Sequence, residues 1–318
     1  MALRGILLRP GVSAMERPAF VIQGHRGARG LRPENTLPSF EAALDAGANA
    51  LETDVHLTAD GVPVLVHDPQ LDERIYRPIR ATKDNSAAPR PWVHQLSAGQ
   101  LSEYLADRNP NPHRFPTQSA EPTPLATWFT RDRGHPYAIP TLADLYAFVA
   151  AYAGEPGRSV GKTDAQRANA ARAVIDVELK RVPFHAAEWG QAPGRIESAV
   201  LDVVRRAGAV GRTAVRSFDH RCVKRLRALE PGLTGVVLVE GTAPVDPVAL
   251  VRAADAQVYG PDYRYLDAEQ VRQCHAAGVR VLPWTVNDPG AWERLVEWGV
   301  DGITTDYPDR FPPPPLAA

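Results

Sequence analysis

The sequence predicts an α/β fold, a (β/α)8 barrel with an irregular insertion after an early strand. Short runs rich in β-branched residues recur along the chain, and each is followed by a segment with an amphipathic helical pattern. This alternation is typical of βα units that build a parallel sheet. The 318 residues also suit one barrel, because such barrels commonly have about 250 residues or more. We therefore predict a single domain over residues 1–318, with a barrel core from about residue 20 to 312.

The first third of the chain supplies three candidate strands and one helix. The strands are "AFVIQ", "NALETDV" and "VPVLVH", and the turn "TADG" joins the second to the third. Between the first two strands, Asn35 or Thr36 can cap a helix that ends at Gly47. Its apolar residues Leu37, Phe40 and Leu44 share one face, which we expect to lie against the barrel.

Six further strands are predicted between residue 140 and the end: "AVIDVEL", "TAVRSF", "GVVLV", "AQVYG", "VRVLPWTV" and "DGITT". The total of nine is one more than a barrel needs, so we expect one strand outside the main sheet. The helix before them begins at Thr141 and turns Leu142, Leu145 and Val149 toward the core. The polar stretch 153–173 is predicted to be a loop that leads into a helix.

Residues 72–137 break the alternation of strands and helices. Nine of the thirty prolines lie there among polar spacers, which predicts an irregular cap or lid and not a compact second domain. The insertion follows the "VHDP" strand, so we expect it at the carboxyl ends of the strands, where barrel enzymes have their active sites. Its aromatic residues Trp92, Trp128 and Phe129 are predicted to have a plain packing role within the fold. Covering a lipid tail, or a choline through cation–π contact, is the alternative.

Composition argues against several classes of function. The net charge of −1 gives no attraction to nucleic acid, and no run reaches the roughly 18 apolar residues of a membrane span. The apolar patch Ile6–Leu8 is too short for a secretory signal, which predicts a cytoplasmic location, or a periplasmic or secreted one if the natural N-terminus differs. The only two cysteines, Cys222 and Cys274, are predicted to be free thiols.

Two strands carry carboxylates that share a face. Glu52 and Asp54 alternate in "LETDV", and in "VIDVELK" the residues Asp176, Glu178 and Lys180 alternate with apolar ones. Crowded carboxylates at strand ends repel one another, so they need a cation between them. We interpret Glu52 and Asp54 as metal ligands and Glu178 as a third, and a plain salt bridge between Glu178 and Lys180 is the alternative.

Two histidines end apolar runs, His25 in "FVIQGH" and His67 in "VPVLVHD". If both runs are parallel strands, their imidazoles meet above one mouth of the barrel, where they could transfer protons near neutral pH. His56 follows Asp54 by two residues and could face the same site. "GRSVGKT" misses a phosphate-binding loop because Pro156 replaces its first glycine, so Lys162 and Thr163 are expected to be solvated.

These motifs, together with "HRGARGLRPENT", "IPTLADL", "PWTVND" and "GVDGITTDYPD", resemble the glycerophosphodiester phosphodiesterase family from about residue 20 to 312. The resemblance implies a TIM barrel and metal-dependent hydrolysis of glycerophosphodiesters to an alcohol and sn-glycerol 3-phosphate. It also implies residue roles: His25 and His67 as the acid and base, Arg26 and Lys180 on the phosphate, Trp284 near the glycerol, and Glu52, Asp54 and Glu178 as metal ligands. Glu34 and Asn35 would shape the same loop.

The charges of this implied site nearly cancel once a divalent cation and a phosphodiester are present, and the oxygen ligands suit either Mg²⁺ or Ca²⁺. Arg29 and Arg32 are expected to be surface charges, and Gly24, Gly27 and Gly30 are expected to let the chain leave the first strand sharply and to bring backbone close to a ligand. The partner is then a small glycerophosphodiester, and the sequence does not indicate an oligomeric state. The alternatives are a lysophospholipase D or sphingomyelinase D-like phosphodiesterase on the same barrel, or a catalytically inactive binding protein.

Overall fold

The computed structural model describes residues 20–80 and 90–311. Its strands are numbered in chain order: β1 (Val21–Gly24), β2 (Ala50–Leu57), β3 (Pro63–Leu65), β4 (Arg77–Pro78), β5 (Tyr104–Leu105), β6 (Val174–Leu179), β7 (Thr213–Ser217), β8 (Thr234–Val239), β9 (Val258–Pro261), β10 (Arg280–Val281) and β11 (Gly302–Thr305). The helices are α1 (Leu37–Asp45), α2 (Ala98–Leu101), α3 (Pro124–Thr130), α4 (Leu142–Ala153), α5 (Glu155–Ser159), α6 (Asp164–Arg172), α7 (Arg195–Arg206), α8 (His220–Leu229), α9 (Pro247–Ala253), α10 (Ala268–Ala276) and α11 (Pro289–Trp298).

Eight parallel strands form a nearly closed barrel in the order β10, β9, β8, β7, β6, β2, β1, β11. Three backbone hydrogen bonds bring the ends together: Asp301 donates to Val281 at 3.0 Å, Thr304 to Pro283 at 2.9 Å, and Val286 to Thr304 at 2.8 Å. The predicted (β/α)8 barrel is therefore confirmed. The ninth predicted strand is β3, which pairs with β2 from outside the barrel.

The strand alternation separates two layers of side chains. On β6, Ile175, Val177 and Leu179 point outward into the main apolar core between strands and helices, which leaves Asp176 and Glu178 facing the lumen. Helix α1 begins at Thr36, whose hydroxyl accepts a hydrogen bond from the backbone of Ser39, as the sequence predicted. Helix α4 begins at Thr141 in the same way.

The prediction that His67 ends a parallel strand of the barrel is wrong. β3 runs antiparallel to β2, with Val55 opposite Leu65, so His67 does not end a parallel strand of the barrel. The tight turn after β2 reverses the chain and returns it to the barrel mouth, since the Val66 amide donates to the carbonyl of Asp54 at 3.2 Å. His67 therefore reaches the mouth on a hairpin.

The insertion lies between β3 and α4 and contains only short elements in its described parts, residues 72–80 and 90–137. Glu41 of α1 anchors it, because this buried carboxylate accepts hydrogen bonds from the backbone of Leu125 at 3.0 Å and Ala126 at 2.8 Å. Phe129 meets Phe148 of α4 edge to face, with ring centroids 5.5 Å apart. This part of the insertion packs on the outer helices of the barrel.

Lys162 was expected to be solvated, and that expectation is wrong. Its ammonium lies 2.6 Å from Glu41 and 2.7 Å from Asp45, and its side chain is largely buried. The ion pair arises because the polar stretch 153–173 folds as two short helices, α5 and α6, and the turn between them reaches α1. Lys162 thus neutralises the carboxylate that anchors the insertion.

Cys222 and Cys274 are both free and buried, as predicted. In residues 20–80 and 90–311, no helix is long and apolar enough to cross a membrane. The apolar patch Ile6–Leu8 lies outside the described residues.

Candidate active site at the carboxyl ends of the strands

A cavity of about 1220 Å³ opens at the carboxyl ends of the barrel strands. The loops after β1, β6, β7, β8, β9 and β10 contribute side chains to its wall, and the insertion contributes Arg114. The predicted site residues His25, Arg26, Glu52, His67, Glu178, Lys180 and Trp284 all line the cavity. Asp54 lies beside them, within the carboxylate group described next.

Three buried carboxylates converge at this mouth because of strand register. β2 and β6 pair in parallel with Asp54 opposite Glu178, and Glu52 lies on the same face one alternation earlier. One oxygen from each of Glu52, Asp54 and Glu178 lies within 4.8 Å of the others. Glu52 Oε1 is buried and has no hydrogen-bond partner within the described chain. An all-oxygen set with an unpartnered buried oxygen fits a hard divalent cation.

Two cations border the carboxylates. Lys180 Nζ lies 2.7 Å from Glu178 and 3.6 Å from Asp54. Arg26 donates through its backbone amide to Glu52 at 2.9 Å, and its side chain lies 3.2 Å from Asp54. Arg26 adopts a left-handed conformation with φ of 53°, which turns both its amide and its guanidinium toward the site.

The "PENT" segment holds these groups in place. Asn35 donates to Asp54 at 2.9 Å and accepts from Thr53 at 2.9 Å, so one amide fixes the part of β2 that carries the carboxylates. Glu34 accepts from Arg26 at 2.8 Å and so orients its guanidinium. Glu34 and Asn35 were predicted to shape this loop, and these hydrogen bonds are the contacts through which they do so.

His25 lies on the loop after β1, and its partner was missed in the sequence. Its Nδ1 donates to Asp306 at 2.7 Å, and Asp306 also accepts from Asn287 at 2.6 Å. Arg29 was expected at the surface, which is wrong: it is buried and donates to both oxygens of Asp306, at 2.9 and 3.1 Å. Asp306 stands directly after the last barrel strand, a position that could have identified it.

His67 has a different support. Its Nδ1 donates to the neighbouring Asp68 at 2.7 Å, and its backbone carbonyl accepts from His56 Nε2 at 3.1 Å. His56 is buried beneath it, and burial lowers the pKa of His56 to about 4, so that imidazole is neutral. His56, which was expected to face the same site, does not line the cavity but holds the hairpin through the carbonyl of His67.

The electrostatics reflect crowding of like charges. Burial and the charge of Asp54 raise the pKa of Glu52 well above its ordinary value. Burial opposes ionisation of Asp54 too, but Arg26 and Lys180 outweigh it and hold the pKa of Asp54 well below its usual range. Burial and the charge of Arg29 lower the pKa of His25 to about 3, against the pull of Asp306. A divalent cation would replace the proton on Glu52 and let all three carboxylates act as ligands.

A buried ion pair forms the floor below the carboxylates. Arg216 of β7 donates to Asp176 and, at 2.6 Å, to Gln23, which itself donates to Asp176 at 2.9 Å. Asp176 shares the lumen face with Glu178 but is neutralised in this way, so it belongs to the floor and not to the ligand set. Sequence reasoning missed Arg216, because nothing near "TAVRSF" indicates a partner on β6.

Aromatic side chains form one wall of the cavity. Trp284 donates its indole N–H to the carbonyl of Gly260 at 2.8 Å, and its ring meets Phe218 at 5.6 Å. Trp189 and Tyr263 line the same wall. The insertion aromatics Trp128 and Phe129 instead pack against the main core, so their predicted packing role is confirmed.

Comparisons with known proteins agree with this geometry. Residues 25–310 match the model of the glycerophosphoryl diester phosphodiesterase family. A glycerophosphodiester phosphodiesterase of Bacillus subtilis (strain 168) is 27% identical over 295 residues, covering 90% of this chain and 83% of the relative. Another, from Caldanaerobacter subterraneus subsp. tengcongensis, is 25% identical over 292 residues, covering 92% and 96%.

Solved structures show the same architecture. A candidate glycerophosphoryl diester phosphodiesterase from Silicibacter pomeroyi DSS-3 superposes with a TM-score of 0.75 and 30% identity, covering 92% of each chain. An Oleispira antarctica phosphodiesterase, solved in complex with its product sn-glycerol-3-phosphate, superposes with a TM-score of 0.64 over 92% of this chain and 95% of the other. At 22% identity, the second likeness concerns the fold alone.

Proposed function

The chain belongs to the glycerophosphoryl diester phosphodiesterase family, and we propose that it hydrolyses glycerophosphodiesters to an alcohol and sn-glycerol 3-phosphate with a divalent metal and two histidines. Family membership makes it a phosphodiesterase. The observation that carries the finer proposal is the meeting in one cavity of a carboxylate triad, two cations and two carboxylate-supported imidazoles.

Glu52, Asp54 and Glu178 are the residues that would hold the metal. The unpartnered Oε1 of Glu52 and the oxygen-only donor set support Mg²⁺ or Ca²⁺. A cation bound there would polarise a non-bridging phosphate oxygen and lower the pKa of the attacking hydroxyl.

Arg26 and Lys180 would bind the phosphate. Both side chains border the triad and line the cavity, and each keeps its positive charge. The pKa of Lys180 is raised, because Glu178 and Asp54 outweigh the effect of its burial. The guanidinium of Arg26 is held at one edge by Glu34, which orients it for a phosphate oxygen.

His25 and His67 would transfer the protons. Each imidazole donates from Nδ1 to an aspartate, so each has Nε2 free for chemistry at the cavity. One Nε2 accepts the proton of the attacking hydroxyl, from water or from the substrate's own 2-hydroxyl. The P–O bond to the leaving group then breaks, and the other imidazole, which must enter this step as imidazolium, protonates the departing alkoxide from Nε2. If the 2-hydroxyl is the nucleophile, this step forms a cyclic phosphate, and water then opens that ring in a second step to give sn-glycerol 3-phosphate.

Trp284 would cover the glycerol. Its ring is fixed by the hydrogen bond to Gly260 and by Phe218, so it presents a rigid apolar face to the cavity. The sn-glycerol-3-phosphate of the Oleispira antarctica structure supports a three-carbon phosphate product for this barrel type.

The experiment is release of sn-glycerol 3-phosphate from glycerophosphocholine, measured before and after EDTA and after addition of Mg²⁺ or Ca²⁺. We expect EDTA to abolish release and one of the two metals to restore it. The restoring metal should also raise the melting temperature of wild type but not of Glu52→Gln. Glu240→Gln, which removes a carboxylate from the same cavity but outside the triad, should keep the thermal shift. No release with any metal would refute the function, and EDTA-insensitive release would refute the metal.

A further inference from the structure

Exposed apolar side chains gather on the loops around the cavity. In residues 20–80 and 90–311, seven large apolar side chains are between 37% and 100% exposed, and five of these lie on loops after four neighbouring strands, β6 to β9. We call these five residues the apolar rim: Val182, Phe184, Phe218, Val245 and Tyr265. The other two are Ile79 in the insertion and Leu229 at the end of α8, near the opposite end of the barrel.

Two of the five residues of the apolar rim also belong to the candidate active site. Val182 and Phe218 line the cavity as well as belonging to the rim, and Phe218 contacts Trp284. The cavity, at about 1220 Å³, exceeds the roughly 300 to 1,000 Å³ of typical small-molecule pockets. A partner that covers the rim must therefore still let substrate enter the cavity. A phospholipid surface meets this condition, because its lipids are themselves phosphodiesters.

The form of the rim suits a fluid interface better than a folded protein partner. Phe184 is 92% exposed and Val245 is 100% exposed, and they protrude from different loops. Separate protruding side chains can enter a disordered acyl layer, whereas a protein partner needs a packed complementary face. Phe and Tyr, both present here, have favourable places at the boundary between apolar chains and headgroups.

The charges on the same loops favour a zwitterionic surface. Arg221 is exposed at the start of α8, directly after the loop that follows β7, and Arg264 is exposed after β9. Glu188 and Glu240 are exposed after β6 and β8. With both signs interspersed, the loops have no strong field that would select an anionic membrane. Apolar burial, and not charge, would drive the contact.

We propose that the apolar rim docks the protein on a zwitterionic phospholipid interface, with the active-site cavity facing the headgroups. The inference rests on the proposed function, because it assumes that the cavity receives phosphodiesters. The contact is peripheral: side chains enter the interface while the barrel stays outside. It gives the lysophospholipase D alternative a physical route, since an amphiphilic substrate could pass from the interface into the cavity over Val182 and Phe218.

The test is co-sedimentation of the full chain with phosphatidylcholine vesicles. We expect wild type to bind, and Phe184→Ser and Val245→Ser each to lower the partition coefficient about tenfold, because each removes an apolar side chain from the acyl layer. Binding should persist in about 0.5 M salt, where electrostatic attraction is screened. Phe184→Trp should bind at least as well as wild type.

Leu229→Ser is the matched control, since it removes an equally apolar exposed side chain at the other end of the barrel and should leave partitioning unchanged. Absent wild-type binding, unchanged binding of the Phe184→Ser/Val245→Ser double variant, or an equal loss in Leu229→Ser would overturn the proposal. Hydrolysis of soluble glycerophosphocholine is measured on the same variants and should match wild type. Failure of all forms in that assay would refute the proposed function, while the vesicle assay would still decide the docking surface.

Discussion

The two histidines of the site are supported by aspartates in opposite ways. His25 has 13% of its side chain exposed and is held by Asp306, which is fully buried, whereas His67 is 30% exposed and is held by Asp68, which is 48% exposed. The His25–Asp306 contact joins residues 281 positions apart, and the His67–Asp68 contact joins neighbours in the sequence. Asp306 also accepts hydrogen bonds from Arg29 and Asn287.

One imidazole is therefore fixed by closure of the barrel and the other by a local hairpin. The first strand and the last strand meet at His25, so its support belongs to the fold itself. His67 depends on the turn after β2 and on His56 beneath it. Substitutions of His25 or Asp306 should therefore lower both stability and turnover, whereas substitutions of His67 or Asp68 should lower turnover alone.

The largest effects are expected from removing the imidazoles. His25→Ala and His67→Ala should each lower kcat on glycerophosphocholine by about 10² to 10⁴-fold. A glycerophosphodiester with a nitrophenolate leaving group separates the two roles, because that group departs without protonation. The variant that lacks the general acid should recover most of its rate on this substrate, and the variant that lacks the base should not.

His113→Ala is the control for these variants, because it removes an exposed imidazole from the insertion and should leave both rates unchanged. Near-full activity of either site variant on glycerophosphocholine would show that the pair is not the acid and base. Equal recovery of both variants on the nitrophenyl substrate would contradict a division of roles between them.

Asp306→Asn should have the next largest effect, on two quantities at once. Loss of the carboxylate charge leaves the buried Arg29 guanidinium with only its longer, 3.4 Å contact to Glu34, so the free energy of unfolding should fall by about 3 kcal/mol. It also weakens the hold on His25 Nδ1, so kcat should fall by about 10²-fold. Denaturant unfolding and steady-state kinetics measure the two losses separately. A loss of activity with unchanged stability would show that Asp306 does not brace the barrel.

The pH dependence of that stability loss has a definite sign. Burial opposes ionisation of Asp306, but Arg29 and His25 outweigh it and hold the pKa of Asp306 well below its usual range. A carboxyl whose pKa is depressed by folding stabilises the protein above its unfolded pKa, about 3.9, and loses this contribution as the pH falls below that value. The difference in unfolding free energy between wild type and Asp306→Asn should therefore be constant from about pH 7 to 5 and shrink below about pH 4.

The parts of the site that depend on local sequence could be predicted. Strand periodicity places Glu52 and Asp54 on one face, and β6 repeats the pattern with Glu178, so the triad follows from local alternation. The eight barrel strands and the extra one follow from the recurrence of β-branched runs. These features depend on spacing within single elements, which the sequence displays directly.

Long-range pairing could not be predicted in this way. Arg29 was expected at the surface, yet the loop after β1 lies against Asp306 beyond the last strand, 277 positions away in the sequence. The glycines of that loop were expected to approach a ligand. Gly27 has a φ of 81° and lies so close to Ser39 and Phe40 that a side chain would not fit. The close approach is to the protein's own helix α1.

Asp68→Asn should have the smallest effect on turnover and stability. It tests whether the contact between His67 and Asp68 supports only the hairpin and not the rest of the fold. Its carboxylate is half in water and its hydrogen bond to His67 is made by a neighbouring residue, so kcat should fall by about tenfold or less. The free energy of unfolding should stay within about 0.5 kcal/mol of wild type, as for other surface substitutions. Glu73→Gln, at an exposed carboxylate of the insertion, is the control and should change neither quantity. A stability loss as large as that of Asp306→Asn would mean that the hairpin bearing His67 is braced by Asp68 and is part of the folded core, which would remove the contrast between the two imidazoles.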